Sequence, residues 1–242
     1  MKEFGKYVMF LGSLFVRRES FGTYYRLTLE ECMQVGIKSV SLVAFVAFFM
    51  GAVTTVQTAY NLVSPFVPRF IISQVVREMT VLELAPTIIG VIYAGKVGSS
   101  IAGGLGTMRI TEQIDALEVM GINSSSYLVL PKILASLLMY PLLVIVAGIS
   151  SLVGGYLVGT LTGVITPTDY VYGIRINFNE YTITFALIKS YFFAFLISSI
   201  SSFKGYYTQG GALEVGIAST AAVTSSVIAV LLSNYFLAQL LL

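Results

Sequence analysis

The sequence predicts an all-α integral membrane protein with an N-terminal interfacial amphipathic helix, five transmembrane helices, and a short cytoplasmic helix between the second and third. Hydrophobic residues make up 56% of the 242 residues and charged residues only 11%, whereas soluble domains carry roughly 25% charged residues. Several apolar runs also reach the ~20 residues that a helix needs to cross a bilayer. Because no polar linker divides these runs, we expect a single domain, residues 1–242.

The N-terminal segment, residues 1–38, begins with a pattern typical of an amphipathic helix. Lys2 and Lys6 precede an apolar run, and the charged residues 17–19 follow it without the small-residue cleavage site of a signal peptide. One apolar stripe at helical spacing contains Phe4, Tyr7, Val8, Leu11, Leu14 and Phe15. The stripe predicts a helix that lies in the membrane surface; a helix packed on the protein's own core is the alternative.

The five predicted spans are residues 39–60, 70–100, 132–164, 184–203 and 218–241. The first has no charged residue, and Pro141 predicts a bend in the third. The second follows a loop that holds Pro65 and Pro68, and it is the least ordinary because it contains four charged residues, Arg77, Glu78, Glu83 and Lys96. Charges inside a span are unfavourable, so they mark function or pairing.

Five crossings place the two ends of the chain on opposite sides of the membrane, and the basic residues are divided unequally between those sides. The N-terminal side collects Lys2, Lys6, Arg17, Arg18, Arg26, Lys38, Lys96, Arg109, Lys132 and Lys204, and the other side Arg69, Arg77, Arg175 and Lys189. By the positive-inside rule, the N-terminus is predicted in the cytoplasm and the C-terminus in the periplasm.

Small residues recur every four positions in two of the spans. The second span and its exit contain Ala94, Gly98, Ala102 and Gly106, and the third contains Ser151, Gly155, Gly159 and Gly163. Such stripes let helix backbones approach closely in lipid. We therefore expect tight bundle packing, with a substrate-lining role as the alternative.

The composition excludes several kinds of chemistry. The chain has no histidine and one cysteine, Cys32, which removes histidine-based acid–base catalysis, Cys/His metal sites and intrachain disulfides. The net charge of +2 does not suggest nucleic acid as a partner. Residues 90–97, GVIYAGKV, imitate a phosphate-binding loop, but Val97 replaces the magnesium-binding hydroxyl and no strand precedes the motif. We expect no ATP site and no cofactor on this chain.

The segment 107–121 predicts a short amphipathic helix on the cytoplasmic side. Its apolar stripe contains Ile110, Ile114, Leu117 and Met120, its acidic stripe contains Glu112, Asp115 and Glu118, and Gly121 ends it. Acidic residues fit poorly against an anionic cytoplasmic leaflet. The pattern therefore favours docking to a protein partner over a solvated connector resting on the headgroups.

Residues 82–132, LELAPTIIGVIYAGKVGSSIAGGLGTMRITEQIDALEVMGINSSSYLVLPK, resemble the signature region of MlaE-type permeases. These are the membrane subunits of ABC transporters that move lipids between bacterial membranes. Weaker likeness extends from QTAYNL at Gln57 through LIKSYFFAF at Leu187 to GGALEVG at Gly210 and SSV at Ser225.

The resemblance implies an assembly in the bacterial inner membrane. Two copies of the permease would form a homodimer on two ABC ATP-binding subunits, which carry the ATP and magnesium, and a periplasmic MCE-domain protein would exchange phospholipid with them. The coupling helix held by the ATPase would present Arg109, Glu112, Gln113, Asp115, Leu117 and Glu118. The sequence departs from the family pattern in several places: Leu82 replaces an arginine, Asn234 replaces an acidic residue, and the arginines common near the start of the last span are missing around Ile217 and Thr220.

Residue heights relate two of the intramembrane charges. Counting up from Lys96 and Lys204 at about 1.5 Å per residue, Glu83 and Lys189 lie at similar depth in the outer half of the membrane. We expect them to face a shared polar cavity, paired directly or through a lipid headgroup, unless each extends separately to the interface. With Arg77 and Glu78 they form the candidate lipid cavity.

Three functions fit the sequence to different degrees. A permease subunit that moves phospholipid between the inner and outer membranes, driven by a separate ATPase, accounts for most of the features. An intramembrane enzyme has little support, because both aspartates, Asp115 and Asp169, lie in loops and no histidine is present. An ion channel or membrane scaffold without ATPase coupling is the remaining alternative.

Overall fold

The computed structural model describes residues 2–15, 20–62 and 67–241, and these residues form helices and turns without a strand. Arg17 and Arg18, which count toward the predicted cytoplasmic charge, lie outside the described residues, as does Pro65 of the predicted loop. The α-helices are α1 (Lys2–Ser13), α2 (Phe21–Cys32), α3 (Lys38–Asn61), α4 (Phe70–Met79), α5 (Ile89–Tyr93), α6 (Ser99–Ile110), α7 (Gln113–Val119), α8 (Ser124–Leu161), α9 (Pro167–Arg175), α10 (Glu180–Tyr206) and α11 (Ala212–Leu241). The π-helical segments are π1 (Met33–Ile37), π2 (Thr80–Ile88) and π3 (Ala94–Gly98).

Four helices among the described residues are long and apolar enough to cross a membrane: Phe21–Asn61, Ser124–Leu161, Glu180–Tyr206 and Ala212–Leu241. The second predicted span lies in a helical stretch, residues 70–110, that π2 and π3 divide into shorter segments. No single segment of it reaches the length of a span, so the count of five crossings stays a prediction. Pro86 lies inside π2 and cannot donate a helical hydrogen bond.

Two of the long helices begin well before the predicted span boundaries. The first begins at Phe21 rather than at residue 39, and there Arg26 lies 3.1 Å from Glu30. The third predicted span begins at Ser124 rather than at residue 132, and the side chain of Asn123 caps it by accepting a hydrogen bond from the amide of Ser126. α8 continues as one helix through Pro141.

Helix α1 has apolar residues on two faces rather than on the one stripe that the sequence predicted. Tyr7 and Leu14 pack inward, and Tyr7 Oη lies 2.7 Å from Ser199 Oγ on α10. Phe4 and Val8 of the same predicted stripe are exposed on the other face. One face of α1 therefore packs on the protein's core and the other is exposed, and the position of α1 in the membrane surface stays a prediction.

α8 is the central helix of the bundle and packs along α2, α3 and α10. Its contact with α3 is close because both helices supply glycines: a Cβ on Gly154 would overlap the Phe48 carbonyl, and one on Gly51 would overlap the Ser151 carbonyl. The small-residue stripe therefore serves helix packing here. Gly163 was wrongly included in that stripe, because it lies beyond the end of α8 with a φ of 71°.

The short helix α9 closes the end of the bundle opposite to α7, and its packing explains the position of the α9–α10 loop. Tyr170 on α9 donates a hydrogen bond to the Leu152 carbonyl of α8 at 3.1 Å. Burial raises the pKa of Tyr170 to about 12, so the phenol keeps its proton at neutral pH and remains a donor. We call the two ends of the bundle the α7 end and the α9 end.

Candidate functional site

The α7 segment forms a corner at the end of the 70–110 helix. α6 ends at Ile110, and Glu112 adopts a left-handed conformation with a φ of 60° before α7 begins at Gln113. The helix is therefore shorter than the predicted 107–121. Ile114 is fully buried, which attaches α7 to the bundle. Met120, the last residue of the predicted apolar stripe, caps α7 and is 65% exposed.

Two of the three predicted acidic residues on α7 are held by the protein itself. Asp115 Oδ1 accepts a hydrogen bond from Arg109 Nη1 at 2.7 Å. Glu118 Oε1 accepts hydrogen bonds from Ser124 Oγ at 2.8 Å and from Tyr206 Oη at 3.1 Å. Since Ser124 begins α8 and Tyr206 ends α10, the Glu118 carboxylate joins α7 to two long helices.

The exposed surface around α7 contains both acidic and apolar residues. Val119 is 89% exposed, and Glu112, Gln113, Ala116 and Glu118 are also exposed, whereas Leu117 is half-buried. We call Gln113, Ala116, Val119 and Met120 the outer face of α7. An exposed valine beside an exposed methionine is a surface suited to an apolar partner.

At mid-bundle, Glu83 of π2 and Lys189 of α10 form a direct ion pair. Lys189 Nζ lies 2.7 Å from Glu83 Oε1 and 3.0 Å from the Leu82 carbonyl oxygen, and the ammonium lies 4.5 Å from the Phe185 ring centroid. The Lys189 side chain is fully buried, whereas that of Glu83 is 44% exposed. Lys189 therefore does not extend to the membrane interface, and one partner of the pair remains accessible.

The second carboxylate oxygen of Glu83 is held by two residues that the sequence did not assign to the site. Asn234 Nδ2 of α11 donates to Glu83 Oε2 at 3.0 Å, and Thr87 Oγ1 lies 3.2 Å from both Glu83 Oε2 and Asn234 Oδ1. Asn234 lies at the position where the family resemblance predicts an acidic residue. An asparagine can donate to the carboxylate, which an ionised aspartate could not. Thr87 gave no signal in the sequence.

Arg77 and Glu78 form a separate pair at the α9 end. Arg77 Nη2 lies 3.1 Å from Glu78 Oε1, and the guanidinium also donates to the backbone carbonyls of Ile174, Ile176 and Asn177. Arg77 is buried, and these contacts occupy it in holding the α9–α10 loop. It is therefore not free to receive a headgroup.

A cavity of about 640 Å³ lies beside Arg77 between π2, α8, α9 and α10. Its walls are apolar side chains that include Val81, Ile149 and Leu187, and Arg175 lies at its α9 side. Glu83 and Lys189 do not line this cavity. The four predicted residues thus form two separate pairs. The larger cavity is apolar, whereas a smaller cavity of about 180 Å³ at the same end is partly polar, with Arg77 and Glu78 in its wall.

The described residues contain no group of three or more histidine, cysteine, aspartate or glutamate side chains placed to hold a metal ion. Residues 90–97, which imitate a phosphate-binding loop, are helical and belong to α5 and π3. In a helix the backbone N–H groups point along the axis and are bonded to carbonyls of the same helix. These residues therefore do not form the loop between a strand and a helix whose N–H groups bind phosphates.

The bundle of long apolar helices defines the chain as a polytopic membrane protein. A model of the family "Permease MlaE" matches residues 28–240, and the chain therefore belongs to the MlaE permease family. It is 38% identical to a "Probable ABC transporter permease protein" of Rickettsia bellii over 217 residues, which cover 90% of this chain and 83% of the relative. This similarity to ABC transporter permeases is consistent with a role as a transport subunit.

Two other relatives come from a cyanobacterium and a plant. "Probable ABC transporter permease protein slr1045" of Synechocystis is 36% identical, with coverage of 89% of this chain and 82% of the relative. "Protein TRIGALACTOSYLDIACYLGLYCEROL 1, chloroplastic" of Arabidopsis thaliana is 32% identical, with coverage of 89% of this chain and 61% of the relative. The name of the plant protein contains the name of a galactolipid.

Proposed function

We propose that this chain is the permease subunit of an ABC transporter that moves phospholipid between the inner and outer bacterial membranes. A separate ATPase subunit, which binds the ATP and magnesium, drives it. The names of the bacterial relatives support the transporter class, and the lipid in the plant relative's name supports a lipid cargo. The chain lies in the inner membrane with its N-terminus in the cytoplasm and its C-terminus in the periplasm.

The observation that carries the ATPase coupling is the position of α7. Its outer face is open, while Glu118 holds it to α8 and α10. A partner that moves α7 therefore pulls on both long helices through the same carboxylate. Residues Arg109, Glu112, Gln113, Asp115, Leu117 and Glu118 constitute the coupling segment, with Arg109 and Asp115 fixing its shape.

Helix α11 supplies the surface for a second copy of the permease. It is the least buried of the four long helices, with 22% of its apolar window buried. Gly216, Thr220 and Thr224 recur every four residues along an open groove on it. Small residues at this interval favour close helix pairing in a bilayer, and two facing copies of α11 place the Glu83–Lys189 pairs beside the dimer seam.

Two regions of the permease contact the lipid in this arrangement. The apolar cavity beside Arg77 takes an acyl chain from the outer leaflet, and Arg175 at its α9 side attracts the phosphate. The half-exposed Glu83, held in place by Lys189 and Asn234, presents its carboxylate at the seam. A periplasmic MCE-domain protein receives or delivers the lipid at the α9 end.

The coupling claim is tested by replacing Val119 with aspartate. Tagged wild-type chain and the Val119→Asp variant are extracted gently from native membranes, and co-purified proteins are quantified by mass spectrometry. We expect the wild type to recover a P-loop ATPase in equal number and the variant to recover at least tenfold less, because a charge is placed in an apolar contact.

The matched control is Val171→Asp, which places the same charge on an exposed valine of α9 at the other end of the bundle. It should leave ATPase recovery unchanged. Equal recovery of the ATPase by wild type and Val119→Asp would contradict the assignment of α7 as the docking element. Recovery of the wild-type chain without any ATPase would favour the channel or scaffold alternative.

A further inference from the structure

A cavity of about 430 Å³ at the α7 end collects three lysines from three different parts of the chain. Lys38 begins α3, Lys96 lies in π3, and Lys132 lies in α8. Glu31 is also in the lining and is paired with Lys132, and both side chains of this pair are mostly buried. One of the three positive charges is therefore neutralised within the protein.

The other two lysines are not neutralised by a carboxylate among the described residues. Lys38 Nζ donates to Gln34 Oε1 at 2.6 Å, and Lys96 Nζ donates to the backbone carbonyl of Lys38. Both acceptors are uncharged, and each ammonium group carries three N–H donors, of which only one is used in these contacts. Two positive charges with unused N–H groups therefore lie next to one concave site.

The floor of the cavity is partly apolar, a feature that a site for a free inorganic ion does not need. Val35, Val97 and Ile101 line it, and each is 3% exposed. The combination of a cationic rim and an apolar floor fits a group whose charged end continues into hydrocarbon. A phospholipid has this form, and basic pockets between membrane helices on the cytoplasmic side commonly hold anionic headgroups.

The backbone at the cavity is also unusual. Two of the π-helical segments meet there, because π1 supplies Gln34 and Val35 and π3 supplies Lys96 and Val97. π-helical turns are rare, and they occur frequently at functional sites because the extra residue redirects side chains. Here they direct side chains of two neighbouring helices to the same cavity.

We infer that this cavity binds the phosphate of an anionic phospholipid from the inner leaflet, with Lys38 and Lys96 as the contacting residues. It is a site separate from the cavity at the α9 end and from the Glu83–Lys189 pair. The inference rests on the proposed function only in the cytoplasmic orientation of the α7 end, since binding itself requires neither ATPase nor transport.

The test measures lipid binding to the purified full chain in mild detergent by native mass spectrometry. Phosphatidylglycerol and phosphatidylcholine are titrated separately. We expect the wild type to prefer phosphatidylglycerol, and the Lys38→Gln/Lys96→Gln variant to bind it about 25-fold more weakly, at roughly fivefold for each lysine near a headgroup. Phosphatidylcholine binding should change less, because that lipid has no net charge.

The matched control is Lys6→Gln/Lys204→Gln, which also removes two lysine charges, from residues that do not line the cavity. It should retain phosphatidylglycerol binding. Thermal unfolding without lipid shows whether the variants fold, and the single variant Lys38→Gln, whose side chain is exposed, should still weaken binding about fivefold. Equal losses in the two double variants, or no loss in either, would overturn the inference.

A competition arm distinguishes the source of the phosphate. Inorganic phosphate at millimolar concentration should leave bound phosphatidylglycerol in place, because the ion makes no contact with the apolar floor. Displacement of the lipid by inorganic phosphate would assign the cavity to a free anion and overturn the lipid reading. Failure of this binding test leaves ATPase recovery through α7 untouched, so the two proposals fail separately.

Discussion

Lys189 is a fully buried charge in an apolar helix, and Glu83 is the carboxylate that neutralises it. Counting helix rise from Lys96 and Lys204 placed both charges at one depth, and the structure places Lys189 Nζ 2.7 Å from Glu83 Oε1. The sequence could not reveal Thr87 or the hydrogen bond from Asn234. Depth follows from residue number, whereas the rotation of α11 about its axis depends on packing.

Replacing Lys189 with methionine tests the importance of this pair. Lys189→Met leaves the Glu83 carboxylate without its cation, and breaking a buried pair typically destabilises a protein by about 3–5 kcal/mol. Because Glu83 is 44% exposed, we expect a smaller loss, about 1–3 kcal/mol, with loss of lipid transport. Unfolding in detergent and transport by the reconstituted complex measure the two effects.

Lys204→Met on the same helix is the control, since Lys204 makes no ion pair among the described residues, and it should change neither quantity much. The exchange Glu83→Lys with Lys189→Glu should restore part of the function that each single change removes. No rescue by the exchange would count against a functional role for direct pairing.

At the scale of single elements, α7 was predicted from its pattern but its shape was not. The stripe of apolar residues indicated a helix over 107–121. Glu112 instead adopts a left-handed backbone conformation, which interrupts the helix, so that α7 covers only Gln113–Val119. Sequence periodicity carries no signal for one non-glycine residue with positive φ. The π-helical segments escaped prediction for a similar reason, because one extra residue in a turn barely alters an apolar pattern.

Tyr206 is the element-level link that no sequence pattern indicated. Its hydroxyl lies 2.7 Å from Ser124 Oγ and donates to Glu118 at 3.1 Å, so it connects α10 with α8 and α7. We expect Tyr206→Phe to lower the free energy of unfolding by only about 1 kcal/mol, while it reduces the transport obtained per ATP hydrolysed. The reconstituted complex allows both quantities to be measured together.

Tyr207→Phe is the matched comparison, because Tyr207 belongs to the same aromatic cluster and its side chain is half-exposed. This variant should keep the wild-type ratio of transport to hydrolysis. The coupling account of Glu118 would be contradicted by a normal ratio in Tyr206→Phe, or by an equal loss in both variants.

For the whole molecule, composition and run length were sufficient to predict the class. A chain with 56% hydrophobic and 11% charged residues cannot cover a soluble core of this size, and the structure forms a bundle of long apolar helices. The permease family followed from the sequence between Leu82 and Lys132, and the family match over residues 28–240 confirms it. The assembly with an ATPase through α7 and with a second copy through α11 stays a proposal, because contacts between chains depend on surfaces of both partners.

The most direct test of the account is ATP-driven lipid movement by the reconstituted transporter. The permease and its co-purified partners are placed in vesicles that contain a fluorescent phospholipid, and transfer of that lipid to acceptor vesicles or a lipid-binding partner is followed. The account predicts transfer that requires ATP hydrolysis and falls at least tenfold with Val119→Asp. Transfer at the same rate without ATP, or no transfer despite ATP hydrolysis by the assembled complex, would contradict it.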